Sequence, residues 1–133
     1  LAAHLGLPCY EAPLVLEGGA ITVDGEGTLL TTASCLLNGN RNPGRSRDDV
    51  DRALRDYLGV SNILWLGDGI EGDDTDGHVD DLTRFVNPTT VVTVVSDDPK
   101  INLGKLCDSI SKLQAQVLER KILQMDFIKF ARK

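Results

Sequence analysis

An α/β fold built of short strand-plus-helix units is predicted by three observations. Strand-like runs occur in groups, separated by glycine- and asparagine-rich turns. Helical apolar spacing follows at two places, after Ser46 and after Asn102. The order reads strand, strand, strand, helix, then the same four again, within one domain's length of 133 residues.

Leu1–Pro8 reads as the end of a helix already under way, and the first residue is not Met, so an internal piece of a longer chain is expected. Leu14–Glu17 is a short apolar run and counts as the first strand. Ala20–Asp24 and Thr28–Thr32 follow as strands, joined through Asp24-Gly25-Glu26-Gly27, a hairpin signal. After the polar loop Asn38–Gly44, Ser46 with Asp49 three residues on marks a helix start. Val50, Ala53, Leu54, Tyr57 and Leu58 recur at helical spacing until Gly59. Asn62–Leu66, His78–Val86 and Val91–Val95 read as the next three strands. Asn102–Arg120 has helical spacing through Leu103, Leu106, Ile110, Leu113 and Val117. Beyond Arg120 the apolar residues form no narrow stripe, so a loosely held end or an exposed apolar patch is expected.

Charge divides the chain. Residues 1–99 hold six arginines, no lysine and seventeen carboxylates, whereas residues 100–133 hold eight basic and three acidic side chains. Two segments follow from this switch: 1–95, and a divergent lysine-rich helical tail, 96–133. The net charge of −6 speaks against a nucleic-acid partner and suits a small cationic one. No run approaches a membrane span and no leader pattern is present, so a soluble chain with no membrane partner is expected. Cys9, Cys35 and Cys107 are too scattered for a disulfide framework or a C-x-x-C metal site, and reduced thiols in a cytoplasm are the plain reading. Each reads as a small buried residue.

Two motifs carry chemistry. Glu17-Gly18-Gly19 places a reachable carboxylate beside backbone that other groups can approach closely. The same triplet alone also fits a surface turn. Gly72-Asp73-Asp74-Thr75-Asp76-Gly77-His78-Val79-Asp80-Asp81 is aspartate-rich, but Gly72 and Thr83 fall on the first and twelfth positions of an EF-hand loop, where acidic ligands are required. No metal site is expected. If 78–86 is a strand, His78 and Asp80 share one face. An imidazole moves protons near neutral pH, and a carboxylate grips a guanidinium through two parallel hydrogen bonds.

Leu16-Glu17-Gly18-Gly19, Val23–Thr32, Cys35-Leu36-Leu37-Asn38, Asn40-Arg41-Asn42-Pro43 and Gly72–Asp80, in that order, resemble the agmatine deiminase family of the pentein superfamily. The likeness runs nearly continuously from Leu5 to Val95, with bacterial peptidyl-arginine deiminases as the nearest alternative. The resemblance implies part, about two blades, of a five-bladed α/β propeller. It implies a cofactor-free hydrolase that converts agmatine and water to N-carbamoylputrescine and ammonia, a step of putrescine biosynthesis. On that resemblance Asp80 is one of two carboxylates gripping the guanidinium, His78 the general acid/base, and Glu17 the residue that orients His78 and contacts substrate. The family's other gripping Asp sits in an upstream Arg-Asp motif. Its nucleophilic Cys sits in a downstream Gly-rich motif ending His-Cys. Neither motif is in this sequence, so the chain is expected to be an inactive fragment. An oligomer of the full-length protein stays open, and so does a non-catalytic truncated product.

Overall fold

The computed structural model describes residues 1–70, 73–95 and 121–126. They form two three-stranded sheets of the same topology, each an antiparallel hairpin extended by a third, parallel strand.

In the first sheet, β1 (Ile21–Val23) pairs antiparallel with β2 (Thr28–Thr32), and β2 pairs parallel with β3 (Asn62–Leu66). Asp24 closes the hairpin, its Oδ1 accepting from the backbone N–H of Glu26 at 2.8 Å and of Thr28 at 2.9 Å. Gly25 and Gly27 have φ of +79° and +93°, a region that only glycine enters without strain. Parallel neighbours need a crossover. It contains α2 (Ala33–Leu36) and α3 (Arg47–Leu58), after a short α1 (Ala2–Leu5) at the start of the chain. The Ser46 hydroxyl accepts from the Asp49 N–H while the Asp49 carboxylate accepts from the Ser46 N–H, the reciprocal cap anticipated from the sequence. Ser46→Ala is expected to lower stability by about 1 kcal/mol, read by chemical denaturation.

Strand β2 is buried throughout, and its alternation feeds two cores. Leu29 packs with Ala20, Cys35, Leu36, Val50, Leu54 and Val60 on the α3 side. Leu30 packs with Leu64, Leu66, Val79, Leu82 and Val91 on the other. That second core joins the two sheets and seats the chain just after His78.

The second sheet runs β4 (Thr83–Asn87), β5 (Thr90–Val95), β6 (Lys121–Asp126). Thr83 and Thr93 face each other across the hairpin with their hydroxyls 2.8 Å apart, buried. Thr90–Val95 lies parallel to Lys121–Asp126, matching the first sheet's third strand. The helix expected at 102–120, with Cys107, lies outside the described residues.

Four expectations change. Cys9, read as a small buried residue, is exposed. Leu14–Glu17 forms no strand. Instead Asn42 satisfies Val15 on both sides, accepting from its N–H at 2.8 Å and donating to its C=O at 3.1 Å. His78–Asp81 is not strand either: Val79–Asp81 is a 3₁₀ turn with His78 before it, and β4 begins only at Thr83. The aspartates and glycine of this loop favour turn geometry over the alternation read from His78-Val79-Asp80. Finally, Lys121–Asp126, expected to be loosely held or to expose an apolar patch within a helical tail, pairs as a strand with Thr90–Val95.

Candidate active site

Glu17, His78 and Asp80 meet at one place although 61 positions separate the first two. His78 Nε2 lies 2.6 Å from Glu17 Oε2, and His78 Nδ1 lies 3.8 Å from Asp80 Oδ1. The expected convergence is present, reached through turns and not through a shared strand face.

Each side chain is placed by local rules. Glu17 stands in extended backbone before the 3₁₀ turn Gly18–Ala20, and Ala20 is fully buried, its C=O accepting from Oγ1 of Thr31 on β2 at 2.8 Å. Gly19 lies directly against the site: a Cβ there would overlap His78 Nδ1 and stand 2.9 Å from Asp80 Oδ1. Its neighbour Gly18 faces open space. On the opposite loop Asp73 acts as an organiser. Its Oδ1 accepts from Thr75 N at 3.0 Å, and its Oδ2 from Thr75 Oγ1 at 2.5 Å and Gly77 N at 2.9 Å. Thr75 Oγ1 in turn accepts from the His78 N–H at 3.2 Å. Asp76, at φ +58°, takes the left-handed conformation that Asp tolerates better than most side chains. The buried Val79 then fixes the chain beyond His78.

Arg41, to which its sequence context assigns no role, takes a central place in the structure. Its Nε donates to Glu17 Oε2 at 2.7 Å, Nη1 to Asp76 Oδ2 at 2.8 Å, and Nη2 to the Thr75 carbonyl at 3.0 Å. The side chain is only 11% exposed. Asn40-Arg41-Asn42-Pro43 marked the position, but nothing in its spacing told that a guanidinium would reach Glu17. Arg84 was likewise missed; its Nη2 stands 3.2 Å from Asp80 Oδ2.

The hydrogen bonds from Arg41, then from His78, hold the Glu17 carboxyl below the ordinary glutamate value of 4.5. An ionised Glu17 can only accept, so His78 Nε2 carries the proton between them. The hydrogen bonds of Asn40 and Arg41 hold Asp76 low in the same way, and those of Ser46 lower Asp49. Burial raises Asp73, yet its bonds from Thr75 and Gly77 leave it lowered overall. Asp81 is raised, by burial first and then by Asp80 and Asp73. Groups lowered on folding add stability above their unfolded values and lose it as pH falls through the folded ones. Glu17, Asp49, Asp73 and Asp76 act in that sense; among the described carboxylates whose titration shifts, Asp81 acts in reverse. The melting temperature is therefore expected to drop steadily as pH is lowered below about 4, measured by circular dichroism, and a flat profile there would contradict these pairings.

Glu17, Cys35 and His78 each offer an atom within 4.8 Å of the others. The arrangement suits a cation poorly, because the Arg41 guanidinium already sits on Glu17 Oε2 and burial pushes the Cys35 thiol up, away from the thiolate a metal needs. Among the described residues no helix is long and apolar enough to cross a membrane.

A family model, Porphyromonas-type peptidyl-arginine deiminase, matches residues 1–129. This chain belongs to that family. It is 56% identical over 89 residues to a protein assigned as an agmatine deiminase in Pectobacterium atrosepticum, covering 67% of this chain and 24% of that protein. A Shewanella protein of the same assignment is 51% identical over 98 residues. Those spans are 74% of this chain and 26% of the Shewanella protein. Among solved structures, the Enterococcus faecalis agmatine deiminase superposes with a TM-score of 0.80 at 36% identity, over 94% of this chain and 36% of the enzyme. A cysteine-to-serine variant of the C. jejuni agmatine deiminase, solved with substrate bound, gives 0.77 at 32% identity, over 92% and 37% of the two chains. The chain thus spans about a quarter of the length of these curated relatives.

Proposed function

We propose that this chain is an internal segment of an agmatine deiminase, which hydrolyses agmatine to N-carbamoylputrescine and ammonia in putrescine biosynthesis. The observation that carries the reading is the Glu17–His78 contact at 2.6 Å with Asp80 beside it, in a chain whose relatives are agmatine deiminases. The two sheets of equal topology support its being about two blades of a pentein propeller.

In this reading Asp80 and a second carboxylate outside this chain grip the substrate guanidinium. A thiolate, also outside this chain, attacks the guanidinium carbon. The C–N bond breaks as His78 delivers a proton to the leaving ammonia. His78 then takes a proton from the water that attacks the same carbon, and the thiolate departs, leaving a ureido group. Glu17 orients the imidazole throughout and contacts the substrate. Thiol, imidazole and carboxylates complete this chemistry without a cofactor. Cys35 lies nearby but is fully buried with its thiol pushed up by burial, the reverse of what a nucleophile requires; Cys9 is exposed and has no place in the site. We place the enzyme in the cytoplasm, with a small cationic guanidinium substrate as its partner and neither nucleic acid nor membrane.

The family's own description favours a second reading, a peptidyl-arginine deiminase-like protein. The coding region on both sides of this segment tests the main one. An upstream Arg-Asp motif and a downstream Gly-rich His-Cys are expected, and the intact product should release ammonia from agmatine. Absence of either motif would leave a non-catalytic product, and turnover of peptidyl-arginine alone would move the assignment to the second reading.

A further inference from the structure

We infer that Arg41 is a positioning residue for this site: its guanidinium fixes the Glu17 carboxylate as the acceptor for His78 and locks that carboxylate to the loop that carries His78. The inference rests on the reaction proposed above and adds to it a residue that touches neither substrate nor reacting atoms.

The geometry is a closed ring of contacts. Arg41 Nε and His78 Nε2 both approach the same oxygen, Glu17 Oε2, at 2.7 and 2.6 Å. The remaining donors of Arg41 reach across to Asp76 Oδ2 and the Thr75 carbonyl, two and three positions before His78. Thr75 Oγ1 accepts the His78 N–H, which completes the ring. A planar guanidinium can serve two carboxylates and a carbonyl at once with fixed directions, which an ammonium on a flexible stem cannot.

Arg41 is itself held from behind. Its N–H donates to Asn38 C=O at 3.1 Å, and the next residue, Asn42, is 3% exposed. Asn42 Nδ2 donates to Leu36 C=O at 2.9 Å and to Val15 C=O, while its Oδ1 accepts from Val15 N–H, two positions before Glu17. One short segment, 38–42, therefore sets both the backbone approach to Glu17 and the guanidinium on its carboxylate. This gives the Asn40-Arg41-Asn42-Pro43 motif a physical task.

The groups against Glu17 are Arg41, His78 from the other loop, and Cys35 on α2, with Asp76 paired to the same Arg41 guanidinium. Of these only Arg41 is a fixed positive charge, and its hydrogen bond is the leading cause of the lowered Glu17 titration. A neutral, protonated Glu17 would present an O–H where His78 needs an acceptor, and the tautomer that leaves Nδ1 free toward Gly19 and Asp80 would lose its support.

The test uses this chain directly. Carbon-detected NMR follows the Glu17 carboxyl through an acid titration, and nitrogen spectra report which ring nitrogen of His78 carries the proton. In the native chain Glu17 should titrate below 4.5 and His78 should be protonated at Nε2. Arg41→Met and Arg41→Gln, checked for folding by circular dichroism, should both move the Glu17 titration upward and mix the His78 tautomers; Arg41→Lys should restore part of each. A packing role alone would move neither signal in a folded variant. The inference is overturned if Glu17 in the native chain titrates at or above 4.5, or if a folded Met or Gln variant leaves both signals unchanged. Turnover supplies the second arm, in the E. faecalis enzyme carrying residues 1–95 in place of its own matching segment. There Arg41→Gln should reduce kcat on the order of a hundredfold, as expected for a displaced catalytic group, and Arg41→Lys should recover part of it. Unchanged kcat would also overturn the inference. A chimera inactive with its native Arg41 would count against the proposed reaction instead, while the NMR result would still judge Arg41.

Discussion

Purified alone, this chain is expected to release no ammonia from agmatine. A guanidinium carbon is a poor electrophile because resonance spreads its charge. The proposed chemistry meets this with a thiolate, and a thiolate forms readily near neutral pH only beside positive charge. Cys35 is the described cysteine nearest His78, and burial drives its thiol in the wrong direction. In the proposed reaction Asp80, moreover, is one of two carboxylates that hold the substrate's positive charge at the nucleophile. Removal of the nucleophile from a cooperating set commonly costs on the order of a millionfold in turnover, which places this chain at background. Ammonia and N-carbamoylputrescine should both stay at the level of a His78→Ala control. Turnover that depends on His78 and vanishes in Cys35→Ser would show that the buried thiol serves after all.

The second large effect is expected from a single methyl group. Gly19→Ala would put a Cβ into His78 Nδ1 and within 2.9 Å of Asp80 Oδ1, so one of the two loops must move. Overpacking of this kind costs about 1–3 kcal/mol in stability. The larger loss should be catalytic: a displacement near 1 Å of the acid/base group lowers turnover on the order of a hundredfold. Gly18→Ala is the matched control, since a Cβ there meets nothing within 4 Å, and it should change stability by no more than about 0.5 kcal/mol. Comparable losses in the two variants, measured in the intact enzyme, would mean that backbone freedom and not the contact with His78 explains the pair of glycines.

These residues also show what the sequence could and could not tell. The hairpin at Asp24–Gly27 and the helix from Ser46 were legible because their signals are local: a side chain capping backbone a few residues away, and glycines where φ is positive. Glu17, His78 and Asp80 were found through motifs whose resemblance named them, and the structure brings them together. The strand read over His78–Val86 begins only at Thr83, because the hydrogen bonds of Asp73 and Thr75 compete with sheet pairing just before His78. Arg41 was not legible at all. Its contacts with Glu17 and Asp76 span 24 and 35 positions, and no periodicity encodes where a long side chain crosses between two loops. Val15 was misread for a related reason, since its backbone partner is the side chain of Asn42 and not a neighbouring strand.

In the proposed reaction this chain supplies the acid/base half of a guanidine-hydrolysing site. The most direct measurement is agmatine turnover by the E. faecalis enzyme with residues 1–95 grafted in place of its own matching segment. We expect N-carbamoylputrescine and ammonia in equal amounts, with kcat falling about 10²–10⁴-fold in His78→Ala, the range for loss of a general acid/base. A folded graft that turns over agmatine equally well with His78→Ala would rule out that role for His78.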